Sequence, residues 1–252
     1  MDLELTGKKA IVTGGSRGIG KQIARILAQE GVDVVIAARD PERLEATAKE
    51  ITAETSRNIV PLTVDTSDDD SVKVMVKKAA EALGGVDILI NGAATVGGIA
   101  PPPKLAEITK DAVWADINVK VMGYLRTAQA AAPYMIAQGW GRIVNISGMA
   151  ARQSGNTIGS MRNVSVAALT KNLADELGEH GINVTVVHPG GTVTERTTPE
   201  GLANMAKSNT IHRAVDASDI ANVVVFLASP KSVAITGDTI AAGGGVGKAI
   251  HY

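Results

Sequence analysis

The chain has no cysteine and almost no net charge, and each absence excludes some functions. Without cysteine among its 252 residues, it has no disulfide, no thiolate nucleophile and no thiolate metal site. The formal net charge is −1 with acids and bases interspersed, which gives no sign of a nucleic-acid partner or an anionic membrane surface. The lack of disulfides is compatible with a reducing cytoplasm, which we expect as the location.

Long apolar runs, internal repeats and polar linkers are also lacking. Residues 1–8, MDLELTGK, contain no apolar signal core, and no run reaches the length that spans a membrane. A chain of 252 residues can bury one sizeable hydrophobic core. We therefore expect a single domain over residues 1–252 with no membrane partner.

Residues 13–20, TGGSRGIG, form the most informative motif of the chain. They follow an apolar, strand-like segment at 9–12 and precede a helix-like segment at 21–29. A glycine turn in this context bares backbone N–H groups at the positive end of the helix dipole. Gly14, Gly18 and Gly20 allow the tight turn and the close approach of a pyrophosphate. The motif therefore predicts a phosphate cradle.

Two other motifs overlap the same turn. Residues 14–18 match the GxSxG nucleophile elbow of hydrolases, but too little chain precedes them to build the strands of an oxyanion hole. Residues 15–21 match the GxxxxGK part of a P-loop, but Gln22 cannot replace the Ser or Thr hydroxyl that holds Mg²⁺. Both alternatives therefore fail on the surrounding residues.

The end of the second apolar segment, residues 34–38, indicates which dinucleotide would bind. An acid about twenty residues after the glycine turn bonds the ribose 2′-OH, whereas a nearby Arg suits a 2′-phosphate. Ala38 occupies the position where that acid would be expected, and Arg39 follows it. Arg17 in the turn can supply a second positive charge. These residues favour NADP(H).

The remaining pattern predicts the fold. Apolar segments at 59–64, 86–90 and 142–147 alternate with helical patterns, the last of them a helix at 110–138 that Gly123 and Pro133 could break. This alternation is typical of an α/β fold: a doubly wound parallel sheet, Rossmann-like, with helices on both faces and ligands at the carboxyl ends of the strands. The expected edge carries the glycine turn, Arg39, Asp65, Asn91 and Ser147.

These motifs together resemble the short-chain dehydrogenase/reductase family over nearly the whole chain. Residues 13–20 are similar to its cofactor turn, Asp65 to its adenine-contacting residue and residues 91–94, NGAA, to its NNAG motif. Residues 189–194, PGGTVT, resemble its PG-x-x-x-T, which contacts the nicotinamide end and the phosphates. The motifs and the resemblance together imply these cofactor-binding residues: Gly14, Ser16, Arg17, Gly18, Ile19, Gly20, Arg39, Asp65, Thr66, Asn91, Gly92, Ala93, Asn163, Pro189, Gly190, Thr192 and Thr194.

The catalytic pattern departs from that family. Its members typically use Ser, Tyr and Lys, the last two as YxxxK, with an Asn from an earlier helix. The only tyrosines are Tyr124, Tyr134 and Tyr252, and none is followed by Lys four residues later.

Residues 167–177, AALTKNLADEL, resemble the family's segment just beyond YxxxK. Counting back from them puts Gly159 at the Tyr position and Asn163 at the Lys position. Gly148 falls at the Ser position, and the Asn position falls on Lys120, with Asn118 half a turn away. Ser147, beside Gly148, is the candidate substitute for the missing Ser. We interpret Arg162, on the same turn as Asn163, as ordinary helix surface.

Two functions remain open at this point. One is an atypical NADP(H)-dependent oxidoreductase that acts on a carbonyl/alcohol pair of a small molecule. The other is a non-catalytic dinucleotide-binding protein, a pseudoenzyme that senses the cofactor or supports a partner subunit. No metal is expected, because His180, His188, His212 and His251 lack metal-ligand spacing. The resemblance also implies a substrate lid at 192–212 and pairing of the helix at 160–179 in a homodimer or homotetramer.

Overall fold

The computed structural model describes residues 1–95 and 101–247. His251 and Tyr252, named in the sequence analysis, lie outside these ranges.

A seven-stranded parallel sheet forms the centre of the domain, in the order β3-β2-β1-β4-β5-β6-β9. The strands are β1 Lys9–Thr13, β2 Asp33–Ala38, β3 Ile59–Thr63, β4 Ile88–Asn91, β5 Gly141–Ile146, β6 Ile182–Pro189, β7 Thr192–Val193, β8 Val215–Asp216 and β9 Thr239–Ala242. Strands β7 and β8 pair with each other outside the main sheet. The predicted doubly wound parallel sheet is confirmed, with strand boundaries shifted by one or two residues.

Helices cover both faces of this sheet. They are α1 Gly18–Gln29, α2 Pro41–Thr55, α3 Asp69–Leu83, α4 Lys110–Ile117, α5 Gly123–Gln138, α6 Thr157–Leu177, α7 Pro199–Lys207 and α8 Ala217–Leu227. Neighbouring side chains of β1 point to opposite faces of the sheet. Val12 belongs to the same hydrophobic cluster as Ile23 of α1 and Ile220 of α8. Ile11 belongs to the cluster that contains Val76 of α3 and Met135 of α5. Strands covered on both faces bury every side chain, which explains their continuous apolar runs.

Local residues fix several helix starts. The Asp40 carboxylate accepts a hydrogen bond from the backbone N–H of Arg43 at 3.1 Å, and Pro41 is the first residue of α2. Asp68 caps α3 in the same way through the N–H of Ser71, and Asp69 and Asp70 follow in the first turn, where the helix dipole favours acids.

The helix predicted at 110–138 divides once. A turn of π-helix at Asn118–Met122 separates α4 from α5, which begins at Gly123. The helix does not break at Pro133, the other possible position, because Pro133 lies inside α5 on its exposed side. At such a position a helix loses one backbone hydrogen bond and can still continue. The break at the π-turn matters more, because it shapes the functional site.

Candidate functional site

A cavity of about 790 Å³ opens at the carboxyl ends of β1, β2 and β4. The strand order reverses between β1 and β4, and ligands of open α/β sheets bind outside such a reversal. The walls are formed by Gly14, Ser16, Arg17, Gly18, Ile19, Gly20, Ala38, Arg39, Asp40, Arg43, Val64, Asp65, Thr66, Gly92, Ala93, Ala94, Thr95, Val119, Ile146, Thr194, Glu195 and Arg196.

The glycine turn brings two stretches of backbone into direct contact. Gly14 has φ +72°, and a Cβ added there would lie 2.7 Å from the carbonyl oxygen of Gly92. At Gly20 an added Cβ would lie 2.2 Å from the carbonyl oxygen of Gly14. Both glycines are therefore required for the shape of the turn, and the floor of the cavity is bare backbone.

A side chain at the end of β1 fixes the turn that follows β4 by hydrogen bonds. The Thr13 hydroxyl accepts hydrogen bonds from the backbone N–H groups of Gly92 at 3.1 Å and Ala93 at 3.3 Å. Asn91, which was expected at the ligand edge, instead has a fully buried side chain. Its Nδ2 donates to Asn145 Oδ1 at 2.9 Å, and its Oδ1 accepts from the Thr127 hydroxyl at 2.7 Å. The Asn91 side chain therefore ties β4 to β5 and α5 and does not line the cavity.

Basic side chains gather over the end of β2. Arg17, Arg39 and Arg43 all line the cavity, and Arg43 was not identified from the sequence. Its only local signal is its position one helical turn after the cap Asp40, with which it forms an exposed ion pair at 3.6 Å. Asp65 lies opposite. Hydrogen bonds from Ser67 chiefly lower the pKa of Asp65, and Arg39 lowers it further, so this carboxylate is ionised at neutral pH.

A carboxylate lies at the start of α1. Both carboxylate oxygens of Glu195 accept from the backbone N–H of Gly18, each at 3.2 Å. The N-terminal N–H groups of a helix, together with the helix dipole, make an anion site. The Glu195 oxygens therefore occupy a place that suits a phosphate, and the residues present fit a dinucleotide: a bare glycine turn, a helix N-terminus and basic side chains at the end of β2.

The π-turn at Asn118–Met122 is stabilised by side chains from elsewhere. A π-turn disturbs the regular helical hydrogen bonds, and such turns are frequent at functional sites. The Thr66 hydroxyl donates to the carbonyl of Val119 at 3.0 Å, and Arg126 Nη1 donates to the carbonyl of Asn118 at 3.1 Å. The turn is therefore a defined feature of the fold, and it directs Lys120 into the protein.

Lys120 is almost wholly buried, with 3% of its surface exposed. Its Nζ donates to the backbone carbonyl of Ser147 at 3.1 Å and to Asn163 Oδ1 at 3.2 Å. Burial lowers the pKa of Lys120 to about 7; the Arg162 guanidinium adds to this effect and the Asp116 carboxylate opposes it. A lysine amine thus lies between the end of β5 and helix α6.

Gly148 and Gly159, which the resemblance aligned with the family's Ser and Tyr, have different surroundings. A Cβ on Gly148 would find Asn163 Nδ2 at 3.0 Å, and its three nearest atoms would all belong to Asn163. A Cβ on Gly159 would lie 2.8 Å from the side chain of Asn156, which caps α6. Ser147, the candidate substitute, is buried, and its hydroxyl donates to the carbonyl of Asn163 at 3.2 Å. Its hydroxyl therefore faces α6 and not the cavity.

Arg162 corrects a second expectation. Its Nη1 donates to both carboxylate oxygens of Asp116, at 2.8 and 2.7 Å, and its Nε donates to Asn163 Oδ1 at 3.3 Å. Both side chains of the ion pair are only 16% exposed. Arg162 is therefore a partly buried clamp between α4 and α6, and its interpretation as ordinary helix surface was wrong. The sequence gave no local signal for this pairing, because 46 positions separate the partners.

His188 and Tyr124 are buried beside this group of polar residues. Burial, with smaller repulsion from Arg152 and Lys120, lowers the pKa of His188 to about 4, so the ring is neutral at pH 7. The Tyr124 hydroxyl donates to the carbonyl of Ile146 at 2.8 Å, and burial raises its pKa. Tyr124 packs with Val166 and Val186 in the core and does not line the cavity.

The structure brings together most of the predicted cofactor residues. Twelve of them line the cavity: Gly14, Ser16, Arg17, Gly18, Ile19, Gly20, Arg39, Asp65, Thr66, Gly92, Ala93 and Thr194. The others, which do not line it, are Asn91, Asn163, Pro189, Gly190 and Thr192. Within residues 1–95 and 101–247, no cluster of His, Cys, Asp and Glu could hold a metal, and no helix is long and apolar enough to cross a membrane.

Comparisons with known proteins agree with this geometry. Residues 8–204 match the family model described as short chain dehydrogenase. The chain is 36% identical over 246 residues to 3-oxoacyl-(acyl-carrier-protein) reductase FabG of Staphylococcus aureus, covering 95% of this chain and 98% of that protein.

Two solved structures share the fold over almost the full length. One is L-sorbose reductase from Gluconobacter frateurii complexed with NADPH and L-sorbose, with a TM-score of 0.91, 26% identity and coverage of 99% of this chain and 100% of that one. The other is a short chain dehydrogenase from Burkholderia cenocepacia in complex with NADP, with a TM-score of 0.84, 33% identity and coverage of 96% and 98%. The chain belongs to the short-chain dehydrogenase family.

Proposed function

We propose that this protein is an NADP(H)-dependent oxidoreductase that interconverts a carbonyl and an alcohol of a small molecule. The observation that carries the proposal is the cavity at the β1/β4 reversal. It combines bare glycine backbone and the N-terminus of α1 with Arg17, Arg39 and Arg43 beside the end of β2. The complexes of the two solved relatives with NADPH and NADP support the same cofactor here.

Each part of the chain has a distinct task in this proposal. The N–H groups at the start of α1 bind the pyrophosphate, and the arginines bind the 2′-phosphate that distinguishes NADPH from NADH. When bound, the nicotinamide supplies or accepts a hydride. Ile146, Val119 and Thr194 line the other part of the cavity, and Thr194–Arg196 belong to the segment at 192–212 that we propose as the substrate lid.

The reaction would proceed without the family's usual Ser, Tyr and Lys side chains. Gly148, Gly159 and Asn163 provide neither a hydroxyl nor a phenol, and general acid–base help is worth roughly 10²–10⁴-fold in rate. We therefore expect slow turnover of generic carbonyls. The second candidate is a dinucleotide-binding protein without catalysis, and the observation that favours it is Gly159, which has no side chain to transfer a proton.

The names of the relatives indicate which substrate classes to try first. They include a reductase of 3-oxoacyl groups and a reductase of the ketose L-sorbose. We propose a small carbonyl compound of this kind as substrate. We also propose a homodimer or homotetramer, because helix α6 exposes apolar side chains such as Met161 and Val164 that the monomer leaves uncovered.

Two measurements test the function. NADPH and NADH are titrated by nicotinamide fluorescence, and consumption of NADPH is followed with a 3-oxoacyl thioester and with L-sorbose. Tight NADPH binding with turnover supports the oxidoreductase. Binding without turnover of either compound supports the non-catalytic alternative, and failure to bind NADPH contradicts the cofactor assignment.

A further inference from the structure

The side-chain amide of Asn163 has a fixed orientation. Its Oδ1 accepts from Lys120 Nζ at 3.2 Å and from Arg162 Nε at 3.3 Å. An arginine side chain has no acceptor, and the lysine Nζ is placed here as a donor, so both require the oxygen of the amide to face them. The NH₂ group of Asn163 therefore points away from the two basic residues.

The opposite side of that amide faces the space left by Gly148. A Cβ at Gly148 would lie 3.0 Å from Asn163 Nδ2 and 4.0 Å from Oδ1. Gly148 itself is partly exposed, whereas Asn163 is only 2% exposed. Among the described residues, no protein acceptor takes a hydrogen bond from this Nδ2. The structure thus presents an amide donor of a buried residue that points toward partly exposed Gly148.

We propose that Asn163 Nδ2 donates a hydrogen bond to the carbonyl or hydroxyl oxygen of the substrate, and that Lys120 is the positioning residue that holds the amide in place. This inference rests on the proposed function. Gly148 follows β5 two residues after Ile146, which lines the cavity, and β5 lies away from the arginines at the end of β2, so we place this donor toward the reacting end.

The amide stabilises negative charge on the substrate oxygen without giving up its own proton. As a carbonyl carbon accepts a hydride, charge grows on its oxygen, and a fixed donor lowers the energy of that state. Water supplies the proton that completes the alcohol. Lys120 and Arg162 both withdraw electron density through Oδ1, which makes the NH₂ group a stronger donor.

Replacing Asn163 by Asp tests the donor with little change of shape. The new carboxylate still accepts from Lys120 and Arg162 but presents an oxygen toward Gly148 where Nδ2 was. We expect kcat to fall roughly 10²–10³-fold, as when one oxyanion donor is lost. The Kd for NADPH and the thermal midpoint should not worsen, because the phosphate cradle is untouched and Lys120 gains an opposite charge. Full turnover by Asn163→Asp would overturn the proposal.

A rescue variant separates chemistry from structure. Gly148 has φ 173°, an extended conformation that serine also adopts. In the double variant Asn163→Ala with Gly148→Ser, a hydroxyl donor enters the same space from the strand side, with the amide no longer in its way. We expect this variant to turn over faster than Asn163→Ala alone. Equal rates would contradict a donor role at this point.

Lys120→Met tests the positioning role. It removes the hydrogen bond that orients the amide and keeps the apolar length of the side chain. The loss should fall on kcat, with the Kd for NADPH unchanged, whereas a general structural defect would weaken both. Lys171→Met, an exposed change on α6, the helix that carries Asn163, serves as the control. An unchanged kcat in folded Lys120→Met would remove Lys120 from the proposal.

A readout without turnover keeps this inference separate from the proposed function. The side-chain amide signals of Asn163 are assigned by NMR through their loss in Asn163→Asp, and cyclohexanone is added to the NADP⁺-saturated protein. We expect these signals to shift in the wild type and not in Gly148→Ser, where the serine side chain lies against Nδ2 and blocks the approach of the ketone. If they shift and no carbonyl is turned over, the oxidoreductase is wrong and the donor stands. If they do not shift, the donor assignment is wrong, whatever the activity.

Discussion

The carboxylate of Glu195 accepts two hydrogen bonds, each 3.2 Å long, from the backbone N–H of Gly18. These two residues lie 177 positions apart, at the start of α1 and in the segment between β7 and α7. A phosphate bound at the start of α1 requires the same N–H group and carries the same sign of charge. We therefore expect cofactor binding and the position of the segment at 192–212 to be coupled through this contact.

The first prediction is that Glu195→Gln binds NADPH more tightly than the wild type. The change removes a negative charge from the anion site, where such charges are worth about 0.3–1 kcal/mol, so we expect roughly a two- to fivefold lower Kd. Fluorescence titration measures it. Glu200→Gln, in the first turn of α7, is the matched control and should leave the Kd unchanged. Weaker binding by Glu195→Gln would mean that the carboxylate helps to hold the cofactor.

The second prediction concerns cofactor choice. Arg39→Ala should weaken NADPH binding by roughly 1.5–3 kcal/mol, about 10- to 100-fold, because a charge-assisted contact to the 2′-phosphate is lost. NADH has no such phosphate, and its affinity should change little. Arg213→Ala, which removes an exposed arginine that pairs with Asp219, serves as the control. Equal losses for both cofactors would place Arg39 outside the 2′-phosphate site.

The third prediction follows from the buried lysine. Lys120 has a pKa of about 7 in the folded protein and 10.5 ordinarily. Between these values the unfolded chain holds the proton and the folded protein does not. The free energy of unfolding therefore increases as pH rises from about 7 to 10.5, and this gain is lost again as pH falls back to 7. Burial is the main cause of this lowered pKa; the Arg162 guanidinium lowers it further and the Asp116 carboxylate raises it, and His188, which Lys120 in turn affects, is neutral in this pH range.

Urea unfolding of the wild type and Lys120→Met at several pH values measures this contribution. The difference in unfolding free energy between the two proteins should change by up to about 1.4 kcal/mol per pH unit above pH 7. A difference that stays constant between pH 7 and 9.5 would contradict the lowered pKa.

The fourth prediction is that position 163 accepts a lysine only if Lys120 is removed. Asn163→Lys would place a second amine beside Lys120 Nζ, which now lies 3.2 Å from Asn163 Oδ1. An uncompensated buried charge costs roughly 3–5 kcal/mol, so the single variant should be strongly destabilised. Adding Lys120→Asn should recover most of the loss. Asn172→Lys, exposed on α6, is the control, and additive effects of the two changes would disprove the coupling.

The fifth prediction concerns assembly through α6. Met161 and Val164 are about half exposed and lie one helical turn apart, so they form an apolar patch on this helix. We expect a dimer or tetramer by light scattering, and its dissociation in Val164→Glu. Val74→Glu is a close control, because Val74 on α3 is also 52% exposed. A monomeric wild type at micromolar concentration would contradict the assembly.

Local patterns in the sequence determined the fold and the phosphate half of the site. Continuous apolar segments indicated strands covered on both faces, and the glycines of residues 13–20 indicated the cradle, because these signals lie in adjacent residues. The same holds for Arg39, which directly follows β2, and for the cap Asp40. Each depends on chain order and short-range geometry, which a sequence displays directly.

Only the tertiary structure decided the arrangement of polar side chains around Asn163. The amine of Lys120 meets Asn163 from a π-turn 43 positions earlier, and the clamp on Asn163 includes Arg162, held in turn by Asp116 of α4. Asn91 and Ser147 lie at strand ends as expected, but their side chains bond inward to α5 and α6 instead of lining the cavity. Such contacts depend on how the helices pack on the sheet. Packing brings together residues far apart in the chain, and no repeating sequence pattern indicates which of them will meet. The sequence therefore shows that none of its tyrosines is followed by lysine four residues later, and only the packed structure showed that the Lys120 amine lies beside Asn163.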